Sequence, residues 1–174
     1  MQSLPDLESH EYPEYFGRYV RLAPDADVLR ALVAGGELTA EVLGGLDEAR
    51  GAHAYAPGKW TVKSVLGHMS DTERVMAGRA LHAARGTSVP LPGFDQDQWA
   101  EAAQCDARSL GELVAELAAT RAATVALFRS LDADAAMRRV VADAGEFTAR
   151  AFASVIVGHE RHHLGILQDR YGIH

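Results

Sequence analysis

Apolar residues recur at steps of three and four along four long segments of this chain, and nowhere do they alternate convincingly at a period of two. That period confines the fold to helices packed on helices. In the first segment the stripe is Val28, Leu29, Leu32, Val33, Leu38, Val42, Leu43 and Leu46, which predicts a helix over roughly 26–48 with Asp25 as its N-cap. Gly35-Gly36 and Gly44-Gly45 fall inside it. An interior glycine costs about 1 kcal/mol relative to alanine, which marks Gly35 as a point where this helix can kink or break. Thr61 caps a second helix that ends near Arg85 and Gly86, with Trp60 and Val65 placed as a hydrophobic staple. Ser109 and Glu112 form a capping box for a third, reaching about Leu131. Thr148 caps a fourth, reaching about Arg170.

The connection between the second and third helices, 87–107, is about twenty residues long. Structureless connections of that length are uncommon in compact domains. This one is long enough to cross the bundle, make those two helices parallel, and cover a site with Phe94, Asp95, Asp97 or Trp99. The expected fold is all-α: a four-helix bundle with one long crossover. At 174 residues the chain reads as one domain over 1–174. Residues 1–24, with Tyr12, Tyr15, Phe16, Tyr19 and three prolines, read as an irregular arm packed on it.

A net charge of −7 gives no support for nucleic-acid binding. No apolar run reaches the length of a membrane span, and Met1 to Glu14 carry no secretory signal pattern. With Cys105 the single cysteine, no internal disulfide framework exists. The expectation is a soluble cytoplasmic protein acting on a small molecule.

Three of the eight histidines lie in Gly158-His159-Glu160-Arg161-His162-His163. At 100° per residue, His159 and His163 fall within about 20° of the centre of the fourth helix's apolar face, and His162 about 80° off it. Two inward imidazoles one turn apart are costly unless hydrogen-bonded or shared by a metal ion. The spelling also matches His-Glu-x-x-His of zinc proteases, but the extended motif fails at Ile166 and Asp169. Glu160 is open to three roles: base, partner of a ligand, or solvated carboxylate. A third ligand must come from upstream, and His10, His53, His68, His82, Glu73 and Asp97 all stand as candidates. His68 lies about 120° from the apolar stripe of the second helix, so periodicity does not select it. Glu73 falls almost on that stripe and needs a partner.

Trp60-Thr61-Val62-Lys63-Ser64-Val65-Leu66-Gly67-His68-Met69-Ser70-Asp71-Thr72-Glu73-Arg74 resembles the second-helix signature of the DinB/YfiT-like family. Leu91-Pro92-Gly93-Phe94-Asp95-Gln96-Asp97 and Gly158–His163 resemble its loop and fourth-helix signatures. The resemblance implies a divalent metal held by His68, His159 and His163. It also implies a homodimer, and relatives that use bacillithiol or mycothiol. Zinc or nickel is the first expectation for the ion, though imidazole also suits iron and copper. The expected activity is metal-dependent transfer of a low-molecular-weight thiol to a small electrophile. The alternatives are a hydrolase using metal-bound hydroxide, with Glu160 or Asp97 as base, and a non-catalytic metal-binding stress-response protein.

Overall fold

The computed structural model describes residues 7–24, 27–142 and 145–174. After two single turns at Ser9–Glu11 and Glu14–Phe16, the chain forms α1 (Gly17–Val20), α2 (Val28–Gly44), α3 (Glu48–Gly51) and α4 (Val62–Ala84). Then come α5 (Gln96–Ala103), a turn at Cys105–Ala107, α6 (Leu110–Arg129) and α7 (Ala133–Met137). The chain finishes with β1 (Arg139–Ala142), β2 (Gly145–Thr148) and α8 (Ala149–Tyr171). Helices α2, α4, α6 and α8 are the bundle. No helix among the described residues is long and apolar enough to cross a membrane.

Local chemistry sets the helix starts. Thr61 accepts the Ser64 amide at 3.0 Å, the Ser109–Glu112 capping box is complete, and Thr148 accepts the Ala151 amide at 3.3 Å. The predicted cap Asp25 lies outside the described residues, and Asp27 caps α2 through the Arg30 amide at 3.1 Å. The first helix is shorter than expected. It stops at Gly44 because Asp47 starts a separate turn, accepting the Arg50 amide at 2.8 Å. It is also unbroken at Gly35-Gly36.

One expectation needs correcting. β1 and β2 form an antiparallel hairpin in register Arg139↔Thr148 and Val140↔Phe147, where no strand was expected. Four residues per strand are too few to display a period of two. The hairpin is held instead by buried Val140 and Phe147 and by the crossover, whose Leu91 amide donates to the Val141 carbonyl at 2.9 Å.

The crossover does reverse the usual alternation. At the start of α4, Lys63 donates to the Arg108 carbonyl just before α6, and Glu73 midway along α4 pairs with Arg121 midway along α6. The two helices therefore run parallel. The crossover is not structureless, since Asp95 caps α5 within it.

The apolar core is split in two. One cluster holds Leu32, Met76, Val125, Phe128, Phe152 and Ile156, together with Phe16 of the arm. The other holds Leu43, Leu66, Met69, Leu113, Leu117 and Leu167. Between them, on all four bundle helices, lies a polar layer: Thr39, Thr72 and Glu73, Thr120 and Arg121, His159, Glu160 and His163.

The arm packs on α8. Buried Glu11 accepts Thr148 Oγ1 at 2.9 Å and Arg150 Nε at 2.7 Å. At α1 the backbones meet so closely that a methyl on Gly158 would lie 1.9 Å from the Tyr19 carbonyl oxygen. Helix propensity alone says Gly158→Ala stabilises by about 1 kcal/mol. The contact predicts the opposite, a loss of about 1–3 kcal/mol from overpacking, with tryptic cleavage at Arg18 and Arg21 accelerated as the arm lifts. Thermal melts and limited proteolysis check the sign.

Candidate metal centre

His68 of α4 and His159 and His163 of α8 converge at the polar layer. The Nε2 atom of His159 lies 3.0 Å from that of His68 and 3.1 Å from that of His163. All three rings are buried, at 6%, 7% and 8% exposure. Two nitrogens each about 2.0–2.1 Å from one tetrahedral zinc ion sit about 3.3 Å apart, so the convergence matches what a shared ion demands. Hydrogen bonding alone explains the cluster poorly. Each Nε2 is either one donor or one acceptor, and His163 Nδ1 has no partner among the described residues. The donor set, three neutral imidazoles with converging nitrogens, therefore fits a divalent metal.

His68 became inward-facing because α4 is buried on two sides, against α6 and against α8. Leu66 and Met69 join the apolar cluster with Leu113 and Leu117 of α6, while His68 and Thr72, with Val65 beside them, line the cavity. A single-stripe reading of this helix could not find that second face. Burial, only partly offset by the Asp97 charge, holds the His68 pKa down at about 4. Burial and the neighbouring histidines hold His163 at about 3 and His159 well below the ordinary imidazole value. All three are neutral at pH 7 and keep a lone pair for a metal.

This has a consequence for the metal-stripped protein. The unfolded chain binds protons on these histidines below about 6.5, while the folded chain resists until about 4. Stability is then complete above pH 6.5 and falls as pH drops toward 4, by on the order of 3 kcal/mol from His68 alone. Urea titrations of chelator-treated protein from pH 7.5 to 4.5 measure the slope, which His68→Asn should flatten.

The triad opens onto a cavity of about 1020 Å³ between the arm, α4, the crossover and α8. Tyr15, Phe16, Tyr19, Tyr55, Trp60, Phe94 and Tyr171 line it, seven of the chain's twelve aromatic residues. Such a lining suits an organic ligand. Asp97 lies at the wall, presented by the first turn of α5. His162, exposed on the flank as its wheel position predicted, stacks edge-on with Tyr19 at 5.6 Å.

Glu160 does not line this cavity. One residue from His159, it is turned by about 100° into the core. There its Oε1 accepts Thr39 Oγ1 at 2.9 Å and Arg121 Nη2 at 3.0 Å, and its Oε2 accepts Arg121 Nη1 at 3.1 Å. Arg121 also donates to both oxygens of Glu73 at 2.9 Å and to the Leu32 carbonyl at 2.7 Å. One guanidinium on α6 therefore ties α4, α8 and α2 together directly behind the histidine triad. Burial resists this charge, yet the two carboxylates hold the Arg121 pKa above its ordinary value. Burial raises that of Glu160, with a further push from the Glu73 charge, and outweighs the lowering effect of Arg121 and Thr39. Gly35 and Gly36 make room for the network. Added methyls there would lie 2.2 Å from Glu160 Oε2 and 2.8 Å from Arg121 Cγ.

Glu73 is thus the inward carboxylate that the periodicity identified, and Arg121 is its partner. Arg121 was not singled out from the sequence, although its position carries a signal. It stands four residues after Leu117 and seven before Phe128, on the apolar stripe of its helix. His10, His53 and His82 are exposed and away from the triad.

The family model for the DinB superfamily matches residues 31–167. Among solved structures, "YfiT from Bacillus subtilis is a probable metal-dependent hydrolase with an unusual four-helix bundle topology" superposes with a TM-score of 0.70 at 17% identity, over 100% of this chain and 95% of that one. The mycothiol-dependent maleylpyruvate isomerase superposes with a TM-score of 0.64 at 16% identity, over 97% of this chain and 64% of its own. At these identities the likeness is one of fold. No curated protein matches the chain.

Proposed function

The chain belongs to the DinB superfamily, and on that premise we propose that it is a metal-dependent enzyme that transfers a low-molecular-weight thiol, of the bacillithiol or mycothiol type, to a small electrophile. The observation that carries this reading is the convergence of three neutral imidazoles on the floor of a large, aromatic-lined cavity. His68, His159 and His163 would hold the ion. When bound, a divalent ion supplies the positive charge that keeps a thiol or a water beside it deprotonated at neutral pH. Asp97 takes the role of proton acceptor, since it faces His68 from the crossover and is the carboxylate near enough to influence its charge. Glu160 is assigned no proton transfer, because both of its oxygens are engaged in the core.

A cavity of about 1020 Å³ stands at the upper end of the roughly 300–1,000 Å³ usual for small-molecule pockets, so it has room for two reactants side by side. That favours a two-reactant transfer over hydrolysis. Hydrolysis is the second reading, and the description of YfiT as a probable metal-dependent hydrolase favours it.

The two separate in one assay. Metal-loaded protein is given bacillithiol or mycothiol and monochlorobimane, and conjugate is measured against a chelator-treated control. Thiol transfer predicts metal-dependent conjugation that falls about 10²- to 10⁴-fold in Asp97→Asn, the range for loss of a general base. Absence of conjugation above the control, together with thiol-independent turnover of an ester or amide panel, establishes hydrolysis instead. Inactivity in both leaves a metal-binding protein without turnover.

A further inference from the structure

The cavity over the triad is electrostatically unlike the rest of the molecule. The chain carries a net charge of −7. Yet Arg18 and Lys59 at the cavity already balance the two carboxylates of Asp95 and Asp97, and Arg79 at its wall donates to the Pro92 carbonyl at 2.7 Å. Asp95 is already committed to the start of α5, where one oxygen accepts the Asp97 and Gln98 amides at 3.0 and 3.1 Å. A divalent ion on neutral imidazoles would add two further positive charges. A concave surface with an excess of one sign concentrates ligands of the opposite sign.

Arg18 is the cation that the fold presents to such a ligand. It is exposed on α1, with its guanidinium carbon 4.0 Å from the Tyr15 ring centroid and 4.7 Å from that of Tyr19. Its Nη2 donates to both phenol oxygens, that of Tyr19 at 3.0 Å. Among the described residues no carboxylate pairs with it, whereas Arg74, Arg108, Arg121 and Arg139 each have one. Two tyrosine rings therefore orient the guanidinium in advance, and little side-chain freedom remains to be lost when an anion arrives. The Tyr19 ring is itself 5.4 Å from the His159 ring. One aromatic ring separates the guanidinium from the metal ligands, a span that a molecule of a few carbons bridges.

We propose that Arg18 is the anion-binding end of the substrate site, and that the electrophile accepted there is a small carboxylic acid. Its carboxylate docks on Arg18 while its other end reaches the histidine triad. The proposal rests on the metal-site reading above. It goes further by naming the substrate's chemical class and a specificity-determining residue on the arm.

The test uses metal-saturated protein, with metal content measured in every sample, and calorimetric titration with the dicarboxylates from succinate to adipate and their monoamides. One carboxylate of each probe is available to the metal and the other to Arg18. In the wild type, the best-fitting diacid binds roughly ten- to a hundredfold tighter than its monoamide, the range of a charge-assisted hydrogen bond. Arg18→Gln erases that preference at unchanged metal content, and Arg18→Lys keeps part of it. A metal-loaded wild type without the preference, or an Arg18→Gln protein that keeps it, overturns the proposal alone. A protein that holds no metal at His68, His159 and His163 overturns the reading beneath it, and the proposal with it.

Discussion

His159→Ala protein, purified from metal-supplemented cells, contains less than about a tenth of the wild-type metal. The reason is geometric. His159 Nε2 is the nitrogen to which both other ligands come close, at 3.0 and 3.1 Å. Removing it leaves His68 and His163, on different helices, as two nitrogens where the site needs three. Even changes to groups that merely support a ligand cost roughly 10–100-fold in affinity, and a ligand itself costs more. His68→Ala and His163→Ala should lose metal likewise. His162→Ala should keep it, because that ring lies on the exposed flank, stacked on Tyr19. Elemental analysis beside circular dichroism decides the matter. Full metal content in all three ligand variants sinks the site, and loss in His162→Ala with retention in His163→Ala shows the wrong pair on α8.

Arg121→Met has the second large effect, this time on stability. The substitution fits the volume but strands Glu73 and Glu160, both buried, without a cation. Breaking a buried ion pair by removing one partner costs about 3–5 kcal/mol. That is a large fraction of the about 5–15 kcal/mol by which a domain is stable. The triple variant Arg121→Met, Glu73→Gln, Glu160→Gln should recover a substantial part, because the penalty arises from unpaired charge and not from lost volume. Urea unfolding midpoints at a common slope measure both. A single-variant loss under about 1 kcal/mol would show that the network contributes little. The single variant should also weaken metal retention, since Arg121 ties α4 and α8, the two helices that carry the ligands.

The bundle was legible because its signals are local. Thr61, Ser109 and Thr148 each meet an amide three residues onward, and the apolar residues that follow repeat every turn. His159 and His163 were legible for the same reason, being one turn apart on one helix. The hairpin was not, since four-residue strands carry no readable period and depend on Leu91 and on the Val140–Phe147 pair. Gly35 and Gly36 misled in a specific way. They look like weak points in a helix, yet they are the space into which Glu160 and Arg121 fit. Glu160 was left open to three roles by the sequence. Adjacent to His159 in sequence, it lies on the other side of the helix, facing the core.

From its own order of residues, this chain determined four capped helices, a crossover long enough to set two of them parallel, and one inward pair of histidines. Periodicity did not select His68, which the family resemblance alone named; the tertiary structure sets it against His159 across 91 residues, Arg121 against Glu73 across 48, and Thr39 against Glu160 across 121. Helical periodicity records which side of a helix is buried, but not which neighbour buries it. A helix such as α4, enclosed on two sides, has a second inward face that no single stripe describes. On that face stands His68, the third histidine of the triad.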